Sequence, residues 1–119
     1  MTRPRFIPLD RPGRLATGTP YQLMYLEAGD EHIAVRFIGL MPGAGRELSR
    51  TRVALRDERG GDYPFELTLH GGQIVPEEAI FSFAGPLGTT SQVDIILGND
   101  ETVIETIDVR PAPVDTIDR

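Results

Sequence analysis

The sequence predicts an all-β domain, folded as an antiparallel β-sandwich of about seven strands. Three observations predict this class. Short runs of apolar and β-branched residues recur along the chain, separated by Gly, Pro, Asp and Asn. The segment "FELTLH" (65–70) places an apolar residue at every second position, as a half-buried strand does. Finally, residues 92–109 contain two such runs around Gly-Asn-Asp-Glu (98–101), which is typical of a hairpin turn.

The chain of 119 residues suits one domain with its own core. Residues 1–20 contain four prolines and two glycines, so we expect an extended N-terminal arm without regular structure. Residues 21–109 form the predicted sandwich, and residues 110–119 an extended acidic tail. Strand number and spacing favour an immunoglobulin-like or fibronectin-like architecture, with a small closed β-barrel as the alternative. The Cys…Trp…Cys pattern of true immunoglobulin domains is absent from the sequence.

The predicted strands follow one another at short intervals. They are expected at residues 21–27, 32–40, 50–56, 63–69, 79–84, 92–97 and 102–109. In the second strand Ile33, Val35 and Phe37 occupy alternate positions and should face the interior.

Two further strands carry inward-facing assignments of the same kind. In the fourth, Phe65, Leu67 and Leu69 alternate with polar residues and should line the core. In the last hairpin, Val103 and Ile107 should oppose the apolar face of the preceding strand.

The arginine-rich segment "LSRTRVALRDERG" (48–60) can be interpreted in two ways. In a helix Leu48 and Leu55 would share a face, but Val53 would lie roughly 140° from Leu48. In a strand Thr51, Val53 and Leu55 point inward and the arginines point outward. We favour the strand and keep the helix as the alternative.

The net charge of −6 is distributed unevenly. Residues 1–59 contain ten arginines and seven acidic residues, which gives +3. Residues 60–119 contain two arginines and eleven acidic residues, which gives −9. We interpret this division as basic early elements lying beside acidic late elements in the fold.

Composition excludes several classes of protein. The absence of cysteine rules out disulfides, zinc–thiolate sites and cysteine nucleophiles. No apolar run approaches the ~20 residues of a membrane-spanning helix, so we expect no membrane insertion. The N-terminus lacks the apolar core of a secretory signal, which leaves the cytoplasm, or the periplasm if a signal was removed, as compartments.

Arg50, Arg52 and Arg56 would form a ladder on one exposed strand face. The planar guanidinium fork suits carboxylates and phosphates. Nucleic acid is not expected, because the chain is acidic and no aromatic residue interleaves with the arginines. We expect either a solvated face with acidic cross-strand partners or a docking surface for an acidic protein segment.

No catalytic arrangement is recognisable in the sequence. His70-Gly71-Gly72 could form an oxyanion-binding loop only beside a nucleophile elbow, G-x-S-x-G, and the chain contains none. We therefore predict a non-enzymatic domain without a cofactor, and we keep His70 with the three arginines as the candidate ligand-binding residues.

Two acidic turns, 57–62 and 98–101, offer oxygen ligands of the kind that Ca²⁺ prefers. Asp57, Asp62 and Asp100 are the candidate metal ligands. Asp is also common in turns for conformational reasons alone, and neither turn has EF-hand spacing. A bound metal is therefore not our expectation, and a small-ligand or Ca²⁺-binding module stands as the alternative function.

Several apolar residues fall on the face opposite the expected core positions of their strands. They are Met24, Leu26, Ile38, Leu40, Ile80, Ile96 and Ile104. β-Bulges, coverage by the N-terminal arm, a second copy of the chain or another protein could each account for them. We predict a protein-interaction or accessory domain that binds a protein partner or forms a homodimer.

The two functional alternatives differ in their response to calcium. A Ca²⁺-binding module should gain several degrees in melting temperature when Ca²⁺ replaces EDTA, because a bound ligand stabilises the folded state by mass action. An interaction domain should melt at the same temperature in both buffers. Thermal melting followed by circular dichroism makes the comparison.

Overall fold

A computed structural model describes residues 5–71 and 75–110 of the chain. Within these residues it contains eight strands and one short helix. They are β1 (Arg5–Arg14), β2 (Pro20–Ala28), β3 (His32–Gly39), α1 (Ala44–Arg50), β4 (Val53–Asp57), β5 (Phe65–Gly71), β6 (Glu77–Ala84), β7 (Gln92–Leu97) and β8 (Thr102–Asp108). The prediction of an all-β chain with antiparallel sheets is confirmed. The immunoglobulin-like architecture stays a prediction.

The strands form two antiparallel sheets. The first has five strands in the order β1-β2-β3-β6-β5, and the second has three in the order β4-β7-β8. After β3 the chain forms α1 and crosses to the second sheet at β4, then returns to the first sheet for β5 and β6. Strands β5 and β4 are therefore both edge strands, and they are consecutive in the chain.

The core is formed by the facing sides of the two sheets. Phe37, Phe81 and Phe83 contribute the largest side chains from the five-stranded sheet, and Leu55 and Ile95 lie among those of the three-stranded sheet. The rings of Phe37 and Phe81 meet edge to face, with centroids 5.6 Å apart. As predicted, the alternating apolar positions of β3 are fully buried.

The expectation that residues 1–20 lack regular structure is wrong for residues 5–14. These residues form β1, which pairs antiparallel with β2 at the edge of the five-stranded sheet. Proline is tolerated there because an edge strand leaves one row of its amides unpaired. Ile7 and Leu9 anchor the strand by packing against the core. Of the predicted tail 110–119, all but Arg110 lies outside the described residues.

The segment around residues 48–60 contains both of the alternative structures. Helix α1 extends to Arg50, and strand β4 begins at Val53. The inward positions of Val53 and Leu55 are confirmed, since both side chains are buried. The prediction of a strand from residue 50 is wrong, because the helix packs against the first sheet and ends just before the chain enters the second.

The predicted core positions of β5 are wrong, because a β-bulge changes the alternation. Phe65 pairs with Phe83, but the next regular pair is Leu67 with Ser82, so Glu66 and Leu67 together oppose one residue of β6. Leu67 and Leu69 consequently lie on the outer face of the sheet, exposed by 46% and 59%. Phe65 stays on the side of Phe83 but is 55% exposed at the sheet edge.

Bulges in β2 and β8 explain other residues that were expected to face outward. The register of β2 shifts between Leu23 and Tyr25, and Leu26 is fully buried as a result. On β8 the bulge adds Ile104, which packs against the core, while Val103 is exposed instead of facing inward. Ile107 occupies its predicted buried position.

The remaining residues that were expected to face outward differ in how far they are buried. Ile96 is buried but lies outside the main core cluster, on the face of its paired residues Ala54 and Val103. The others are half-buried or exposed, as expected of outward positions: Met24, Ile38, Leu40 and Ile80.

Glu77, the first residue of β6, holds the turn that leads into α1. Its carboxylate accepts hydrogen bonds from the backbone N–H of Gly43 at 3.0 Å and of Gly45 at 2.7 Å. These bonds lower the pKa of Glu77, with the Gly43 amide as the larger cause. The two segments approach so closely that a Cβ at Gly45 would lie 2.8 Å from the Cβ of Glu77.

The bulges reverse the expected burial of two leucines, and truncating each of them should therefore have opposite consequences for stability. Leu26→Ala should lower the free energy of unfolding by about 2–5 kcal/mol, because it leaves a cavity in the core. Leu67→Ala should change it by less than about 0.5 kcal/mol, because this side chain lies on the surface. Urea unfolding followed by circular dichroism measures both. Equal losses would contradict the described register.

Glu77→Gln should lower the melting temperature by several degrees at neutral pH, because the amide nitrogen of glutamine cannot accept a bond from a backbone N–H. The native hydrogen bonds hold the pKa of Glu77 below 4.5. Its stabilisation is therefore complete above that pH and disappears as pH falls through the folded-state pKa. Melting curves across this range should converge for variant and wild type. Glu31→Gln, at an exposed position, is the matched control.

Candidate interaction surface

The outer face of the five-stranded sheet presents two cross-strand rows of side chains, which we call the outer sheet face. Strand pairing aligns the first row as Pro8, Tyr25, Arg36, Ile80 and Leu69. The second row is Phe6, Glu27, Ala34, Ser82 and Leu67. Each row crosses all five strands, so the rows form one continuous surface.

This surface is unusually apolar for the solvent side of an antiparallel sheet, which normally carries polar residues. Phe6, Leu67 and Leu69 are each about half exposed or more, at 57%, 46% and 59%. Phe6 lies against Tyr25 with ring centroids 4.7 Å apart, and Ile80 is half-buried between Arg36 and Leu69. Large apolar side chains therefore lie on both edge strands, while Arg36, Glu27 and Ser82 interrupt the rows on the strands between them.

Several charged side chains on and beside these rows are held by contacts within the chain. Arg36 donates two hydrogen bonds to Oε2 of Glu78, at 3.0 and 2.7 Å, and its guanidinium lies 5.8 Å from the centroid of the Tyr25 ring. Glu66 accepts a 2.8 Å hydrogen bond from Ser82, and its Oε1 lies 2.8 Å from Nδ1 of His32. The Ser82 bond first, and His32 second, lower the pKa of Glu66.

The predicted ladder of Arg50, Arg52 and Arg56 is not formed as expected. Arg50 ends α1, Arg52 precedes β4, and only Arg56 lies within the strand. The expected acidic partners are present for two of them. Arg56 donates to Asp62 at 2.6 Å, which raises the pKa of its guanidinium, and both Arg52 and Arg56 contact Glu101, at 3.2 and 3.4 Å.

The other candidate residues lie apart from this group. His70 is exposed on β5, and Gly72 lies outside the described residues. Asp57 accepts hydrogen bonds from the backbone N–H groups of Arg59 and Gly61, both at 2.9 Å. Asp100 is exposed in the β7–β8 turn.

Neither a metal-binding cluster nor a membrane-spanning helix is found among residues 5–71 and 75–110. Among these residues, no three histidine or carboxylate groups are arranged so that they could hold a metal ion. No helix in the same ranges has the length and hydropathy needed to cross a membrane.

Sequence reasoning missed most of the outer sheet face. Ile38 and Ile80 were identified as apolar residues facing away from the core, but Phe6 was assigned to an arm, and Leu67 and Leu69 to the interior. One usable signal is the run "RFIPL", in which apolar residues and proline fill both faces of β1. The β5 residues carry no such signal, because the bulge that turns them outward depends on the partner strand.

Comparison with known proteins finds no matching family model and no significant match among curated proteins or solved structures.

Proposed function

We propose that this chain is a non-enzymatic protein-interaction domain that associates with a second copy of itself through the outer sheet face. The observation that carries the proposal is the set of exposed apolar side chains at the two edges of this face, Phe6 on β1 and Leu67 and Leu69 on β5, with Tyr25 and Ile80 half-buried between them. Exposed apolar side chains grouped on one face mark interaction sites in proteins.

Charge favours a second copy as the partner. The Arg36–Glu78 ion pair leaves the face without a cluster of unpaired charges that would select an oppositely charged protein. Two identical faces of this kind can approach each other about a twofold axis without like-charge contacts at the centre. Glu27 is the remaining charged member of the two rows and lies on β2, next to the edge strand β1.

The size of the surface limits the expected affinity of the dimer. The whole outer side of the five-stranded sheet, of which the two rows are part, sets an upper limit: five strands at a spacing of about 4.8 Å span about 24 Å, and seven residues at about 3.3 Å span about 23 Å. The footprint is therefore at most about 550 Å² per copy, below the roughly 800 Å² per partner of a standard specific interface. We therefore expect a dimer that dissociates in the micromolar range.

Sedimentation equilibrium over a series of protein concentrations tests this proposal. The wild-type chain should dimerise reversibly, and Leu69→Glu should raise the dissociation constant at least about tenfold, because it places an unpaired charge in the interface. Val103→Glu is the matched control: Val103 is 49% exposed, but it lies on the three-stranded sheet. A chain that stays monomeric at every concentration, or equal weakening by both variants, would contradict the proposal.

A further inference from the structure

A cleft of about 560 Å³ opens between the two sheets on the side where the edge strands β4 and β5 lie. Val53 and Ala54 line it from the second sheet, and Phe65 and Thr68 from the first. The opposite side of the molecule is bridged: Arg11 on β1 contacts Glu105 on β8 at 3.4 Å. This contact joins the two sheets on the side opposite the cleft.

The inner wall of the cleft is aromatic. Phe81 and Phe83 are almost completely buried behind it, and Phe65 meets Phe83 edge to face, with centroids 5.8 Å apart. Tyr63 completes the wall, and its position is fixed because its hydroxyl donates a 3.0 Å hydrogen bond to the carbonyl of Leu87. Phe81 and Phe83 therefore form the floor of the cleft, and Tyr63 and Phe65 are the aromatic side chains that a ligand can reach.

The mouth of the cleft is positively charged. Arg50 and Arg52 line it, and Arg56 lies beside it through its contact with Asp62. Asp62 and Glu101 are the carboxylates that pair with this group, so three arginines face two acids and leave a charge of +1. Across residues 5–71 and 75–110, Arg50 forms no ion pair. A positive mouth on a chain of net charge −6 favours an anion.

The ends of the cleft limit the shape of an occupant. At one end the C-terminal residues of α1, Ser49 and Arg50, line the cavity, and at the other end the crossing segment 62–64 does so. The crossing segment is fixed to β4, because the N–H of Tyr63 donates to the carbonyl of Leu55 at 2.9 Å. A long extended strand would meet these segments, whereas a compact molecule fits between them.

We infer that this cleft binds a small apolar carboxylate, whose aromatic or alicyclic body packs on Tyr63 and Phe65, over the floor formed by Phe81 and Phe83, and whose carboxylate pairs with Arg50 and Arg52. The cavity volume lies within the roughly 300–1,000 Å³ of small-molecule sites. A guanidinium can hold a carboxylate through two parallel hydrogen bonds. The site shares no residue with the outer sheet face, so it is independent of self-association.

Naphthalene-2-carboxylate is a suitable probe, titrated into the full chain and followed by proton–nitrogen correlation NMR. We expect saturable shifts at residues 51–54 and 63–68, with a dissociation constant of about 1 mM or below. The variant Arg50→Gln/Arg52→Gln should weaken binding about tenfold, because it removes both cations. Phe65→Ala should weaken it several-fold, and this exposed side chain is dispensable for the core.

Three controls decide the outcome. Arg46→Gln removes one arginine charge one turn earlier on α1, outside the cleft lining, and should leave the affinity unchanged. Naphthalene-2-carboxamide should bind at least about tenfold more weakly than the acid. Equal binding of the amide, shifts confined to the outer sheet face, absence of saturation, or tighter binding of an alternating Val-Asp hexapeptide in the same cleft would each overturn the inference.

Discussion

The rings of Phe37 and Phe81 meet at the centre of the five-stranded sheet, within the same buried cluster as Leu55 and Ile95 of the three-stranded sheet. Each phenylalanine is almost completely buried, and full burial of such a side chain contributes about 1.5–3 kcal/mol. The cluster around this contact defines which face of each sheet is buried. Whether any other strand residue points into the core or toward solvent then depends on the register of its strand.

Register is not constant along the strands, and both candidate surfaces result from its changes. The β5 bulge keeps Phe65 on the inner side and turns Leu67 and Leu69 outward. The same strand therefore supplies one wall of the cleft and one end of the outer sheet face. Because β5 is an edge strand, none of the other described strands pairs with its outer side in the first sheet.

The uneven charge distribution along the chain is resolved by contacts between early and late elements. Arg11 reaches Glu105, Arg36 reaches Glu78, and Arg52 reaches Glu101. This pairing confirms that basic early elements lie beside acidic late ones. These are exposed or partly exposed pairs, each worth at most about 1 kcal/mol, so they orient the elements more than they stabilise them. Their uneven distribution pairs Arg36 with Glu78 on the outer sheet face and leaves the cleft mouth positive.

The sequence alone determined the fold class, the last hairpin and the inward positions of β3, Val53 and Leu55, because period-2 alternation and turn residues are local signals. It placed Leu26 on the outer face and Leu67 in the core, the reverse of what the structure shows. Both lie in runs rich in apolar residues, and a bulge against a particular partner strand buries the first and exposes the second. The same limit applies to the candidate sites. The sequence identifies Arg50 and Arg52 as candidate anion ligands. It does not show the aromatic wall behind them, which exists because β4 and β5, consecutive in the chain, are edge strands of different sheets on the same side of the molecule. Partner strands and edge positions are non-local properties, so only the tertiary structure decided them.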